Sequence, residues 1–208
     1  MADTPAGIDI RRAVAAESGA LARIHFDALP DDFMPSLGAD FLKRVHYPAT
    51  FESSFGANLV AVANAELIGF VTIAHDAGRF SGDVIRRGLW SIAAYALRAA
   101  LRNPLHLRVS AEVLWSVITG KPDPVKGEIF LIAVDRSWRG KGVGQALVRA
   151  SLDYLASHQV DRCRTKTLAA NAGVIGMYER LGWSIRERFS LIGREYVTIV
   201  SPPVMRTT

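Results

Sequence analysis

The stretch "IFLIAVDRSWRGKGVGQALVRA" (Ile129–Ala150) places Gly140, Gly142 and Gly144 at alternate positions between an apolar run and an amphipathic one. Glycines in such a place let backbone come close to a partner, often a phosphate. The apolar run Glu128 to Val134 reads as a strand. Gly142 to His158 reads as a helix, with Val143, Leu147, Ala150 and Tyr154 roughly in line. Two common phosphate loops fail here: GxxxxGK[ST] is absent, and GxGxxG does not fit because Gln145 and Leu147 stand where the third glycine belongs. What remains is strand, turn, helix. The amides of Arg139 to Gly144 can form a concave nest at the positive end of the helix, a seat for a pyrophosphate, with charge added by Arg139 and Lys141. A plain tight turn using glycine for positive φ accounts for the spacing equally well.

The chain around it has 208 residues, half of them hydrophobic and 22% charged, which suits one globular domain spanning residues 1–208. A single cysteine, Cys163, excludes a disulfide framework, and five scattered histidines argue against a metal centre. The N-terminus lacks an apolar signal core, so the expected location is cytoplasmic. The net charge of +5 favours anionic ligands, but it is not gathered into the Lys/Arg blocks of a nucleic-acid arm. No nucleic-acid partner is expected.

Ile8 to Val14 reads as a strand, and Ala16 to Leu29 as a helix ended by Pro30. A second helical stretch, "LGADFLKRVHYPATF", is expected to break near Pro48. Asn58 to Ala65 and Leu67 to His75 read as a hairpin turning about Glu66. Two arginine-bearing helices, "DVIRRGLWSIAAYALRAALRN" and "PLHLRVSAEVLWSVITG", follow on either side of Pro104, each too short to span a membrane. After the strand–turn–helix come a strand at Arg164 to Ala169, a helix at Ala172 to Leu181 stopped by Gly182, and a strand pair at Trp183 to Phe189 and Arg194 to Val200. This order describes an α/β (α+β) domain with a mixed sheet.

"Arg139-Gly-Lys-Gly142-Val-Gly144" after "IAVDRSW" resembles the [RQ]xxGx[GA] signature of the GCN5-related N-acetyltransferase (GNAT) superfamily. About 27 residues beyond Gly144, "NAGVIGMYERLGW" (Asn171–Trp183) resembles its second hallmark, an Asn, then a helix with a Tyr, then LGF/W. The resemblance covers Glu128 to Trp183 closely and the earlier strands loosely. It implies a GNAT-type, mostly antiparallel central sheet flanked by helices, with acetyl-CoA as co-substrate and no metal. By the same analogy the amides of Arg139, Gly140, Lys141, Gly142, Val143 and Gly144 seat the pyrophosphate. Ile132, Ala133 and Val134 pair strand-like with the pantetheine arm, the Val134 N–H polarises the thioester carbonyl, and Asn171 contacts the arm or a water. Asn171 also stands where a helix N-cap is expected.

Tyr178 matches the family's helix tyrosine and is the candidate general acid for the departing thiolate, against the alternative of a buried, satisfied phenol. Glu128 resembles the catalytic glutamate of histone-type members. On an apolar strand its carboxyl is expected to be raised by desolvation towards a useful base, although a surface role at the strand's edge is also open. Cys163, between Arg162 and Arg164, reads better as a small strand residue than as a nucleophile. The chief departure from the family is a helical insertion at about 78–126. Trp90, Tyr95 and Trp115 give it aromatic surface, and Arg86, Arg87, Arg98, Arg102 and Arg108 give it charge. A lid over the acceptor, a homodimer contact and a membrane-surface contact are all open for it. Phe33, Met34 and Tyr47 are expected to line the acceptor side. The implied activity is N-acetylation of a small-molecule primary amine, an amino sugar or other metabolite. The alternatives are a protein N-terminal or lysine acetyltransferase and a non-catalytic acyl-CoA-binding module.

Overall fold

The computed structural model describes residues 7–30, 33–101, 123–191 and 193–203. The β-branched run after residue 55 folds into a hairpin, β2 (Gly56–Ala63) and β3 (Glu66–Ala74). Its two-residue turn is Asn64–Ala65, both at positive φ (49° and 61°), so the reversal falls before Glu66 rather than on it. The mirror-image turn matches the right-handed twist of the two strands, which is why it is favoured at this length. β1 (Asp9–Arg12) pairs with β2 on one side, and β4 (Gly127–Val134) pairs with β3 on the other. β5 (Cys163–Leu168), β7 (Arg194–Val200) and β6 (Ser184–Leu191) complete a sheet in the order β1-β2-β3-β4-β5-β7-β6, in which only β4 and β5 run parallel. The expected GNAT-type mixed sheet is therefore present.

Helices cover the sheet in two layers. On one face lie α6 (Val143–Ser157) and α7 (Ala172–Arg180). They close a core of Ile68, Val71, Ile129, Val143, Leu147, Leu155, Tyr178, Trp183, Val197 and Ile199. On the other lies α1 (Ser18–Ala28), with α2 (Phe33–Ser36) beyond it. A segment then runs from α3 (Ala39–Phe41) through one wide turn of π-helix (Leu42–His46) into α4 (Tyr47–Glu52). These pack Leu21, Ile24, Phe41, Leu42 and Tyr47 on Val60, Phe70 and Ala133. Each such fully buried side chain contributes about 1.5–3 kcal/mol of hydrophobic stabilisation. Pro48 does not break the segment. It follows the π-turn directly, and the wider turn makes room where a regular helix would lose a hydrogen bond and clash with the proline ring.

The first insertion helix begins earlier than the sequence suggests, as α5 (Ala77–Ala100). Its N-terminus is built into the domain: Phe80 and Val84 are buried with Ala49 and Ala74, and the Ala77 N–H donates to the Lys126 carbonyl (2.9 Å). The two ends of the insertion are thereby joined. Tyr95 packs edge-on against Phe41 (5.5 Å) rather than standing as free surface, whereas Trp90 is 85% exposed. The second helix expected in the insertion, with Arg108 and Trp115, lies outside the described residues, as does Arg102 from the end of the first.

Candidate active site

The parallel strands begin in close contact. A Cβ on Gly127 would meet the Arg162 carbonyl at 2.6 Å, so only glycine allows this approach. Three residue pairs follow, Gly127 with Cys163, Glu128 with Arg164 and Ile129 with Thr165. The Thr165 hydroxyl donates to the Ile129 carbonyl (3.0 Å). Beyond that point β4 stays on β3 as far as Val134, while β5 stays on β7 as far as Leu168. The two strands splay into a wedge that leaves one edge of Phe130 to Val134 without a strand partner among the described residues. A register shift at Thr72/Ile73 skips Phe130, so Ile129 and Ile132, three apart, both pack on the α6 side while Leu131 and Ala133 face α1. The expected pairing strand, Ile132 to Val134, is the free arm of this wedge.

The glycine turn stands at its wide end. Gly140 and Gly142 have φ of 76° and 82°, and Gly142 is the N-cap of α6. No side chain caps that helix end, so its first amides and the positive end of its dipole face outward. Around Gly140 a Cβ would meet nothing within 4 Å, so the turn borders open space. Gly144 faces inward instead, against Met177 and Val134. The Arg139 guanidinium donates to the Val134 carbonyl (3.1 Å), tying the turn to the end of β4, and the Lys141 ammonium lies 4.8 Å from the centre of the Trp138 ring.

Asn171 is the N-cap of α7, its side-chain oxygen accepting from the Val174 N–H (3.4 Å), so its capping role is realised. The far end of that helix explains "YERLGW". The Trp183 N–H donates to the Tyr178 carbonyl (3.0 Å), and the Gly182 N–H donates to Glu179 (2.9 Å) with Gly182 at φ 80°. This paired C-terminal cap is available to glycine at the left-handed position, and it brings the Trp183 ring onto Tyr178 at 4.7 Å. Tyr178 is fully buried, yet among the described residues its hydroxyl has no hydrogen-bond partner, and neither has Trp183 Nε1 beside it. A buried donor without a partner costs about 1–3 kcal/mol, which calls for a ligand or a function. Burial pushes the phenol pKa well up, keeping it protonated as an acid must be.

Glu128 is buried (5% exposed), but it is not an isolated carboxylate on an apolar strand, and this corrects the expected environment. Arg164 Nε donates to its Oε2 (2.7 Å), and Lys166 Nζ stands 3.5 Å from Oε1. Arg164 also pairs with Asp123, which bonds Arg186 in turn (3.0 Å). These arginines hold the Asp123 carboxyl well below the usual range, against the opposing cost of its burial. The composition of β5 carries a signal for this network that the motif reading passed over: in "CRTKTL" Cys163 and Thr165 alternate into the core, so Arg164 and Lys166 share the face that Glu128 occupies. Cys163 is buried among apolar groups, its pKa pushed up chiefly by desolvation, and is no nucleophile. Tyr47 is core, its hydroxyl 2.9 Å from His25 Nδ1, so it does not line an acceptor surface. Met34 is half-buried against the same core, and the side chain of Phe33 lies outside the described residues.

The model of the acetyltransferase (GNAT) family matches residues 106–183. Among curated relatives, the mycothiol acetyltransferases of Propionibacterium freudenreichii and Salinispora tropica are 32% and 33% identical over 71 and 82 residues, 34% and 37% of this chain. The chain spans only about a quarter of the length of these relatives (23% and 27%). Of solved structures, the ribosomal-protein-S18-alanine N-acetyltransferase of Escherichia coli covers 97% of the chain, with 96% of its own length matched, at TM-score 0.60 and 14% identity. Ard1 of Thermoplasma volcanium covers 96%, with 99% of its own length matched, at TM-score 0.59 and 16% identity. Motifs, the family model over residues 106–183 and the fold all point to likeness with GNAT acetyltransferases.

Proposed function

We propose that the protein is an acetyl-CoA-dependent N-acetyltransferase that passes the acetyl group directly to a primary amine of a small molecule within a ternary complex. Three observations support this reading together: an uncapped helix end at the glycine turn, the free edge of β4 in the splay, and the buried Tyr178 hydroxyl with no hydrogen-bond partner among the described residues. These residues fit acetyl-CoA. The outward amides of Arg139 to Gly144, with Lys141 nearby, would hold the pyrophosphate. The free edge at Ile132 to Val134 would pair with the amide-bearing arm, and a β4 N–H would polarise the carbonyl. Bound acetyl-CoA supplies an activated acyl group. Tyr178 would protonate the leaving thiolate, and Glu128 would take the proton of the acceptor ammonium. Asn171 would touch the arm from its capping position.

The small-molecule acceptor rests on relatives that match in sequence and are named for mycothiol. The neighbours named for ribosomal-protein alanine share the fold alone, so a protein N-terminus is the second reading. A non-catalytic acyl-CoA-binding module leaves the Tyr178 hydroxyl unexplained. The test is release of free CoA from acetyl-CoA across a panel of amino sugars, amino acids, polyamines and N-terminal peptides. Turnover with a small amine and intersecting initial-rate patterns are expected. Acetyl-CoA binding with no turnover on any amine would favour the binding module, and turnover on peptides alone would favour the second reading.

A further inference from the structure

β5 brings one amine of the protein itself to the candidate base. The β4–β5 ladder ends at Ile129 and Thr165, and Lys166 is the first residue past it, at the narrow end where the strands begin to part. Arg164 and Lys166 point away from the α6 core, to the face carrying Glu128, and Lys166 Nζ lies 3.5 Å from Glu128 Oε1 with 47% of its side chain exposed. An ammonium on the free oxygen of a buried carboxylate, beside the open edge of β4, holds the position an acceptor amine needs. The other carboxylate oxygen keeps its bond from Arg164 (2.7 Å), so Glu128 is not left unpaired when Lys166 swings away.

We propose that Lys166 is a self-acetylation site, modified by the protein's own acyl-transfer centre when an acyl thioester is bound and no other amine takes its place. The inference rests on the acetyltransferase reading above. Lys166 gives one ammonium proton to Glu128, which passes it to solvent. The freed nitrogen lone pair forms a bond to the acetyl carbon as the carbon–sulfur bond breaks. The second nitrogen proton ends on the departing thiolate, with Tyr178 as the relay. The products are N-acetyl-lysine, free CoA thiol and one released proton, with no redox change. The acetylated side chain no longer carries the charge that pairs with Glu128, so the modification alters the contact an incoming acceptor ammonium would make.

The chain has five lysines, Lys43, Lys121, Lys126, Lys141 and Lys166, so peptide mapping separates them cleanly. The purified full-length protein is incubated with acetyl-CoA alone, and acetylation of each lysine is followed in time by mass spectrometry, with acetyl-CoA binding measured by calorimetry on the same sample. Expected are one acetyl group on Lys166, a rate independent of protein concentration, and a lead of about tenfold or more over the other lysines, as a positioned base and acid supply. Glu128→Gln slows the modification by a similar factor. Because that variant disturbs a buried ion pair, Lys166→Arg is the companion: it keeps a cation beside Glu128, binds acetyl-CoA, and gains no acetyl group at the general rate of the centre. Acetyl-CoA binding with Lys166 labelled no faster than the other lysines overturns the self-acetylation proposal and leaves the functional reading standing. Absence of acetyl-CoA binding overturns both.

Discussion

Tyr178 is the residue whose structure most changes its reading. A phenol buried with no hydrogen-bond partner among the described residues gains nothing there through its hydroxyl, so Tyr178→Phe should leave the urea midpoint unchanged or raise stability by up to about 1 kcal/mol. The same variant should lower kcat about 100-fold while acetyl-CoA binding is retained. A normal kcat in steady-state assays would remove the general-acid role. Gly142, at φ 82°, sits where a side chain is strained. Gly142→Ala should cost about 1 kcal/mol or more of stability, read from thermal unfolding, and should weaken acetyl-CoA binding by displacing the α6 amides. His25 and His46 bear on pH. Burial depresses their pKa values to about 3 and about 4 from 6.5, so below pH 6.5 the unfolded chain binds protons that the folded one refuses. Stability is complete above that value and falls as pH drops towards 4, by about 1.4 kcal/mol per pH unit for each group. Urea midpoints between pH 7 and pH 4.5 measure it, and His25→Gln should remove its share of the slope.

At the scale of elements, the β4–β5 wedge is held closed at its narrow end by charges. Arg164 bridges Glu128 on β4 to Asp123 at the exit of the insertion, and its side chain is 12% exposed. Arg164→Met leaves two buried carboxylates without their shared cation and should destabilise the fold by about 3–5 kcal/mol. Pairing it with Glu128→Gln should recover part of that loss in a double-mutant cycle of denaturant unfolding, since the cost lies in the uncompensated charge rather than in lost contacts. The elements on either side of the wedge were legible beforehand. Apolar alternation predicts the hairpin, and Gly182 predicts the end of α7 because a left-handed C-terminal cap is available to glycine. The hairpin turn shifted by one residue because Asn64 and Ala65 both accept positive φ, which residue spacing alone does not register. Pro48 was misread as a break because a π-turn is a property of the backbone path and leaves no mark in composition.

For the whole molecule, a ligand that binds only the folded state stabilises it by mass action. Acetyl-CoA at about 100 times its Kd should add about 2.7 kcal/mol and raise the Tm, less so at high salt, since the proposed seat would set amides and cations against an anion. An unchanged Tm at saturating acetyl-CoA would speak against the seat. α5 is anchored by Phe80 and Val84 in the core, so surface changes at Trp90 test the role of the insertion more cleanly than its removal. No helix among the described residues is long and apolar enough to cross a membrane. By itself the sequence determined the class of fold, the glycine turn and the place of Tyr178 on its helix, because these depend on local spacing: a helix end, a cap and a motif are written within a few residues of one another. Tertiary structure alone decided that the Tyr178 hydroxyl is buried away from any partner among the described residues, that Glu128 lies in an ion network, and that Lys166 stands beside it. Each of these depends on which strands meet across the sheet, where residues 36 and 38 positions apart in the chain become neighbours.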